Sequence, residues 1–178
     1  MKSSEEIKDL AYLRLSEAEI LCEAQKYDGA FYLAGYSVEL MLKAKICEHW
    51  GIPNLFAETN DALVTFNLGN SCTITDSVLK SNLSKVATTA LRKAVKTHNI
   101  TQLFIFSGLK DKFRVAKSSS IKFMLADALL FESSGRCQWS EQVRYQFNTQ
   151  DAFTVQNLLN VLQDDNNERG LLQWIAQA

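Results

Sequence analysis

Two histidines, His49 and His98, are the only side chains of this 178-residue chain whose ordinary charge change falls close to neutral pH. A neutral imidazole, with a reference pKa of about 6.5, both takes and returns a proton in that range. His98 closes the run Arg92-Lys93-Ala94-Val95-Lys96-Thr97-His98. Arg92 is of the residue type that stabilises developing negative charge through two-pronged hydrogen bonding. Along a straight helix, however, this spacing turns the two side chains about 120° apart, so spacing alone does not make them converge. His49 stands beside Trp50 at the end of an apolar stretch, where a helix dipole favours a basic side chain. The four cysteines, Cys22, Cys47, Cys72 and Cys137, form no C-x-x-C pair. A zinc site of the usual spacing and a disulfide framework are therefore not expected. P-loop, G-x-G-x-x-G, H-E-x-x-H and G-x-S-x-G motifs are absent as well, so neither a metal nor a cofactor is expected.

Charge is distributed unevenly. Residues 1–76 carry six basic and twelve acidic side chains, residues 77–126 ten basic and one acidic, and residues 127–178 three basic and seven acidic. If the middle segment stays open to solvent, Lys85, Arg92, Lys96, Lys110, Lys112 and Arg114 form a face for phosphates. If the segments fold together, the same charges pair across them. Ser118-Ser119-Ser120 with Lys117 and Lys122 likewise reads either as an anion site at a helix start or as ordinary capping.

These residues need elements to hold them. One proline and seven glycines in such a length favour long helices. Ser3-Ser4-Glu5-Glu6 is a capping-box signature, followed by Ile7, Leu10, Ala11, Ala18, Leu21 and Cys22 at helical spacing. This helix is expected to end near Tyr27, with the turn at Asp28-Gly29. A second helix, apolar on most sides and hence buried, runs from about Ala30 to Trp50 and stops at Gly51. Gly35 within it permits close approach by another helix. Residues 52–75 lack a period and read as an irregular connection. A third helix is expected from Asp76, with Leu79, Leu83, Val86, Ala90 and Ala94 inward. A short one follows, capped by Asn99 and stopped by Gly108. Lys110 to Lys117 reads as basic and irregular. A helix after Ser120 carries Ile121, Leu125, Ala128 and Leu129 and is stopped by Gly135. Val155, Leu158, Leu159 and Leu162 mark another, and Leu171, Leu172, Trp174 and Ile175 a last short one. The prediction is an all-α single domain, residues 1–178, with an irregular insertion between the second and third long helices.

Three pieces of this chain resemble a known family. The run FYLAGYSVELMLKAKI is similar to the signature helix of HEPN (higher eukaryotes and prokaryotes nucleotide-binding) domains, in which small and aromatic residues lead to an acidic residue, apolar residues and Lys-Ala. Thr97-His98-Asn99-Ile100-x-x-Leu103 resembles the histidine-bearing start of a later helix in that family. Val143-Arg144-Tyr145 resembles the Arg-Tyr ahead of its C-terminal helix. The resemblance spans most of the chain, although residues 52–90 have no counterpart.

The resemblance implies a HEPN-like helical bundle that forms a homodimer and associates with RNA or a nucleotide. It implies partnership with a minimal nucleotidyltransferase in a toxin–antitoxin-type pair. Catalytic members are metal-independent endoribonucleases with an arginine, four to six residues and then a histidine. Arg92 and His98 match that spacing, but Lys93 stands where those members favour a polar residue such as asparagine. In such an enzyme the histidine would move the 2′-hydroxyl proton and the arginine would stabilise the phosphorane. Arg144 and Tyr145 could hold a phosphate, or Arg144 could pair with an acidic residue such as Glu39. Dimerisation is also expected because the apolar helix and the Trp174-Ile175 end offer more apolar surface than a small bundle needs. The polar, acidic opening is unlike a secretory leader and no apolar run is long enough for a membrane span. Cytoplasm is the expected location.

Overall fold

A computed structural model describes residues 3–52, 55–56, 89–131, 139–147, 149–165 and 168–178. Among these the secondary structure is helical throughout, and no strand occurs. Helix α1 (Ser4–Glu23) starts at the expected capping box: the Ser3 hydroxyl accepts from the Glu6 amide at 3.3 Å, and Glu6 accepts from the Ser3 amide at 2.8 Å. It ends before Tyr27. Gln25 adopts a left-handed conformation with φ 59°, the Lys26 amide bonds back to the Leu21 carbonyl at 2.8 Å, and Gln25 to Cys22 at 3.0 Å. This double closure satisfies orphan carbonyls without a glycine. Asp28 and Gly29 therefore belong to the first turn of α2 (Tyr27–His49) and not to the turn between helices.

Helix α2 is the core of the molecule. Ala30, Phe31, Ala34, Val38, Met41, Leu42, Ala44 and Ile46 are all inaccessible to solvent. Helix α1 lies antiparallel against it, since Lys8 near the start of α1 is paired with Glu48 near the end of α2. As expected, α2 stops at Gly51, whose φ of 65° closes the same type of cap through Ile52 to Cys47 at 2.8 Å. At Gly35 the close approach is made by the indole of Trp139, which occupies the space a side chain would fill.

Residues 89–95 are helical, with Val95 buried and Ala90 exposed, so the inward stripe is shifted from the expected Ala90 and Ala94. The expected start of a helix from Asp76, Lys85, most of the expected irregular connection, Pro53 and Gly135 lie outside the described residues. Helix α3 (Ile100–Phe106) has the expected Asn99 cap, which accepts from the Gln102 amide at 2.8 Å, and is followed by Gly108 with φ 73°. Lys110 to Lys117 is not irregular: it forms α4 (Lys110–Ser119). The reason is Phe113, a single apolar anchor among polar neighbours, which packs within 5.8 Å (ring centroids) of Phe104, Phe123, Phe131 and Trp174. Helix α5 (Ile121–Leu130) starts at the expected Ser120 cap but is rotated from the expected face. Phe123, Ala126, Leu129 and Leu130 are buried, while Ile121, Leu125 and Ala128 are exposed. The aromatic cluster rewards burial of Phe123 more than of Ile121. A 3₁₀ turn (Glu141–Tyr145) follows. Helices α6 (Ala152–Leu162) and α7 (Leu171–Gln177) bury the expected leucines and Ile175.

Both apolar surfaces expected to drive dimerisation are covered within one chain. The faces of α2 are buried by α1, α3, α6, α7 and the 3₁₀ turn, and Trp174 joins the aromatic cluster. No helix among the described residues is long and apolar enough to cross a membrane.

Candidate functional site

Glu39 is a carboxylate in the middle of a buried helix, only 1 % exposed. Burial of that group requires partners. Lys43, one turn further along α2, donates to its Oε1 at 2.6 Å. His98, on the irregular link before α3, sets Nδ1 at 3.0 and 3.1 Å from the two carboxylate oxygens. A carboxylate facing Nδ1 selects the tautomer with the proton on that nitrogen. Half of the His98 side chain is exposed. Nε2 lies 3.7 Å from Glu141 Oε2, and Glu141 is held in turn by Arg144 at 2.5 Å. Arg144 thus pairs with an acidic residue as expected of a structural arginine, but with Glu141 and not with Glu39. Glu39 is already occupied by Lys43 and His98.

His98 forms one wall of a recess of about 250 Å³, closed by Asn99, Thr101, Trp139, Ser140 and Glu141. That volume is below the roughly 300–1,000 Å³ typical of small-molecule pockets. The lining of the recess holds one carboxylate, Glu141, and no lysine or arginine.

Arg92 is engaged elsewhere. Its Nε donates to the Leu55 carbonyl at 2.9 Å, fastening the segment that follows α2. Among the described residues no hydrogen bond or ion pair joins Arg92 to His98. His49, the last residue of α2, lies over Gly108, where a Cβ would meet the imidazole at 2.5 Å.

The basic residues divide. Lys117 pairs with Asp127 at 2.8 Å, and Lys122 with Asp165 at 3.0 Å and the Gln163 carbonyl at 2.7 Å. Ser118 and Ser119 bond back to Val115 and Ala116 of their own helix, and Ser120 caps α5. This segment is therefore capped and cross-paired. Lys112 donates to the Ala178 carbonyl. Lys96 and Lys110 are exposed and make no ion pair among the described residues, and Arg114 makes only a long, exposed one with Asp111 at 3.5 Å. Lys110, Arg114 and Lys117 rim a second recess of about 470 Å³ floored by Phe104, Phe113 and Phe131. Thr101 of α3 lines both recesses, so the two adjoin.

In the sequence Glu39 stood only as a possible partner of Arg144, and Lys43 only as part of a helical signature. A charged residue within an otherwise apolar helix was the available signal. Among the described residues no group of three or more His, Cys, Asp or Glu side chains could hold a metal ion. No protein-family model, curated protein or solved structure matches the chain.

Proposed function

We propose that this protein is a HEPN-like module that associates with RNA or a nucleotide and acts without cleaving it. In its cellular setting it is the homodimeric partner of a minimal nucleotidyltransferase in a toxin–antitoxin-type pair. One observation carries the reading. The three separate sequence pieces that resemble the family meet at a single point: Glu39 of the apolar helix, His98 of the second piece, and Glu141 paired to Arg144 of the third. Glu39 and His98 are 59 residues apart (98 − 39) and His98 and Glu141 are 43 apart (141 − 98), so they have no local reason to do so. Phosphate affinity is assigned to the exposed cations Lys96, Lys110 and Arg114, the last two on the recess that shares Thr101 with that of His98.

The second reading, a metal-independent endoribonuclease using Arg92 and His98, is favoured by the carboxylate that orients His98 and leaves Nε2 facing a recess. It is disfavoured by Arg92, whose guanidinium is tied to the Leu55 carbonyl. The test is to mix the purified protein with end-labelled RNA in chelator. Fluorescence anisotropy should report binding that weakens steeply with salt, and the RNA should stay intact. Products ending in a 2′,3′-cyclic phosphate, lost by about 10²–10⁴-fold in His98→Ala, would instead establish the enzyme. Absence of binding even at low salt would remove the RNA reading altogether.

A further inference from the structure

The recess of about 470 Å³ between α3 and α4 falls within the roughly 300–1,000 Å³ typical of small-molecule sites. Its floor is apolar and already formed. Phe104, Phe113 and Phe131 are almost fully buried, and their ring centroids lie 4.5, 5.1 and 5.2 Å apart. Ile105 of α3, 56 % exposed, also lines it. Water above such a floor finds few hydrogen-bond partners, so an apolar group that replaces it gains free energy. The rim is charged, and Lys110, Arg114 and Lys117 meet Asp111 and Asp127 there. Lys117 is held by Asp127 at 2.8 Å and Arg114 faces Asp111 at 3.5 Å, whereas Lys110 makes no ion pair among the described residues. The lining therefore carries one more positive than negative charge, and the extra one is on Lys110.

We propose that this recess binds a small amphiphilic organic anion, an apolar aliphatic or aromatic body that carries a single carboxylate or sulfonate. The body rests on the phenylalanine floor against Ile105, and the head turns outward to Lys110. Apolar burial supplies most of the affinity, and the one surplus cation fixes the orientation. The two carboxylates set the charge of the ligand, since a second negative charge on it would face Asp111 and Asp127 at close range. The lining also disfavours a nucleotide. A base edge and a ribose need several hydrogen-bond partners, and Thr101 is the only uncharged polar residue there. Binding of such an anion goes beyond the RNA-associated reading above and requires nothing of it.

The experiment titrates the full chain with anilinonaphthalene sulfonate, an aromatic monoanion whose emission rises on apolar surfaces, and displaces it with octanoate, octanol and adenosine monophosphate. Emission should saturate, and octanoate should displace the probe at lower concentration than octanol or the nucleotide. Ile105→Glu, which sets a negative charge on the wall, should abolish binding while the melting temperature holds, since Ile105 is largely exposed. Lys110→Ala should weaken octanoate by about 1.5- to 5-fold, the range of one exposed ion pair, and leave octanol unchanged. Probe emission that persists in Ile105→Glu would put the ligand elsewhere and overturn the proposal. So would a nucleotide that displaces the probe as readily as octanoate, or octanoate and octanol that act alike in wild type and in Lys110→Ala. Absence of any probe binding to wild type would overturn it as well, and would leave the RNA reading untouched.

Discussion

Replacing Gly35 by alanine should destabilise this protein, although alanine is the better helix former. A Cβ at that position falls 2.1 Å from two atoms of the Trp139 indole and 2.4 Å from a third. Non-bonded carbons rest at about 3.5–4.0 Å, so the ring must withdraw by about 1.5 Å. The ring has little room to do so: Trp139 is 3 % exposed, and its Nε1 donates to the Tyr32 carbonyl at 3.1 Å. If the ring shifts within its site, overpacking costs about 1–3 kcal/mol and the strained hydrogen bond about 1 kcal/mol more. If it is expelled, the loss approaches the roughly 3–5 kcal/mol of a buried tryptophan removed. Alanine returns about 1 kcal/mol of helix propensity. The net expectation is a destabilisation of about 1–4 kcal/mol, measured by urea denaturation. A double-mutant cycle isolates the cause. In a Trp139→Ala background, Gly35→Ala should become neutral or stabilising, because the clash is gone and the propensity gain remains. A Gly35→Ala protein as stable as wild type, or one equally destabilised in both backgrounds, would refute the reasoning. Trp139 also walls the His98 recess, so the same substitution should disturb the candidate site without touching His98.

Glu39→Ala should cost about 1–3 kcal/mol in urea denaturation, because it strands Lys43 and His98 beside an apolar helix. The loss stays below the range for fully buried pairs because His98 is half exposed, and Glu39→Gln should lose less; a neutral Glu39→Ala would show that the cluster is not held by this carboxylate. Acid should weaken the fold through Glu48 and Asp151. Partial burial pushes the Glu48 carboxyl up, but hydrogen bonds and charge from Lys8 and Lys45 outweigh it and hold it below the usual carboxylate value. Backbone and side-chain hydrogen bonds from Thr154 hold Asp151 low, burial working slightly against them. A lowered folded-state value means stability that is present above the unfolded value and lost as pH falls through the folded one. Thermal melts should therefore drop on the acid side of the ordinary carboxylate range. Glu48→Gln should flatten part of that drop, and an unchanged acid limb in that variant would remove Glu48 from the account.

Periodicity and turn chemistry act over a few residues, so what depends on them was legible in the sequence. The all-α class, the buried helix expected from about Ala30 to Trp50, its stop at Gly51, and the caps at Ser3, Asn99 and Ser120 all rest on such local rules, whereas the start of that helix at Tyr27 does not. Local rules mislead where a long-range contact outweighs them. Lys110–Ser119 is basic and looks irregular, yet it is helical because Phe113 enters a cluster whose other members lie up to 61 residues away in the chain (174 − 113). The same cluster turns Phe123 inward and leaves Ile121 77 % exposed, against the spacing that favoured Ile121. The close approach permitted by Gly35 was also visible in the sequence, but nothing local to the glycine says that an indole occupies it. For the site, composition supplied the residue types and tertiary structure decided their partners. His98 and Arg92 are near in sequence but face different structures, because the helical segment over 89–95 ends at Val95 and the link beyond it carries His98 to Glu39. A charge inside an apolar helix must find a partner, which the sequence of α2 already requires of Glu39. Which distant residue answers that requirement depends on how the chain returns to α2, and only the folded chain determines it.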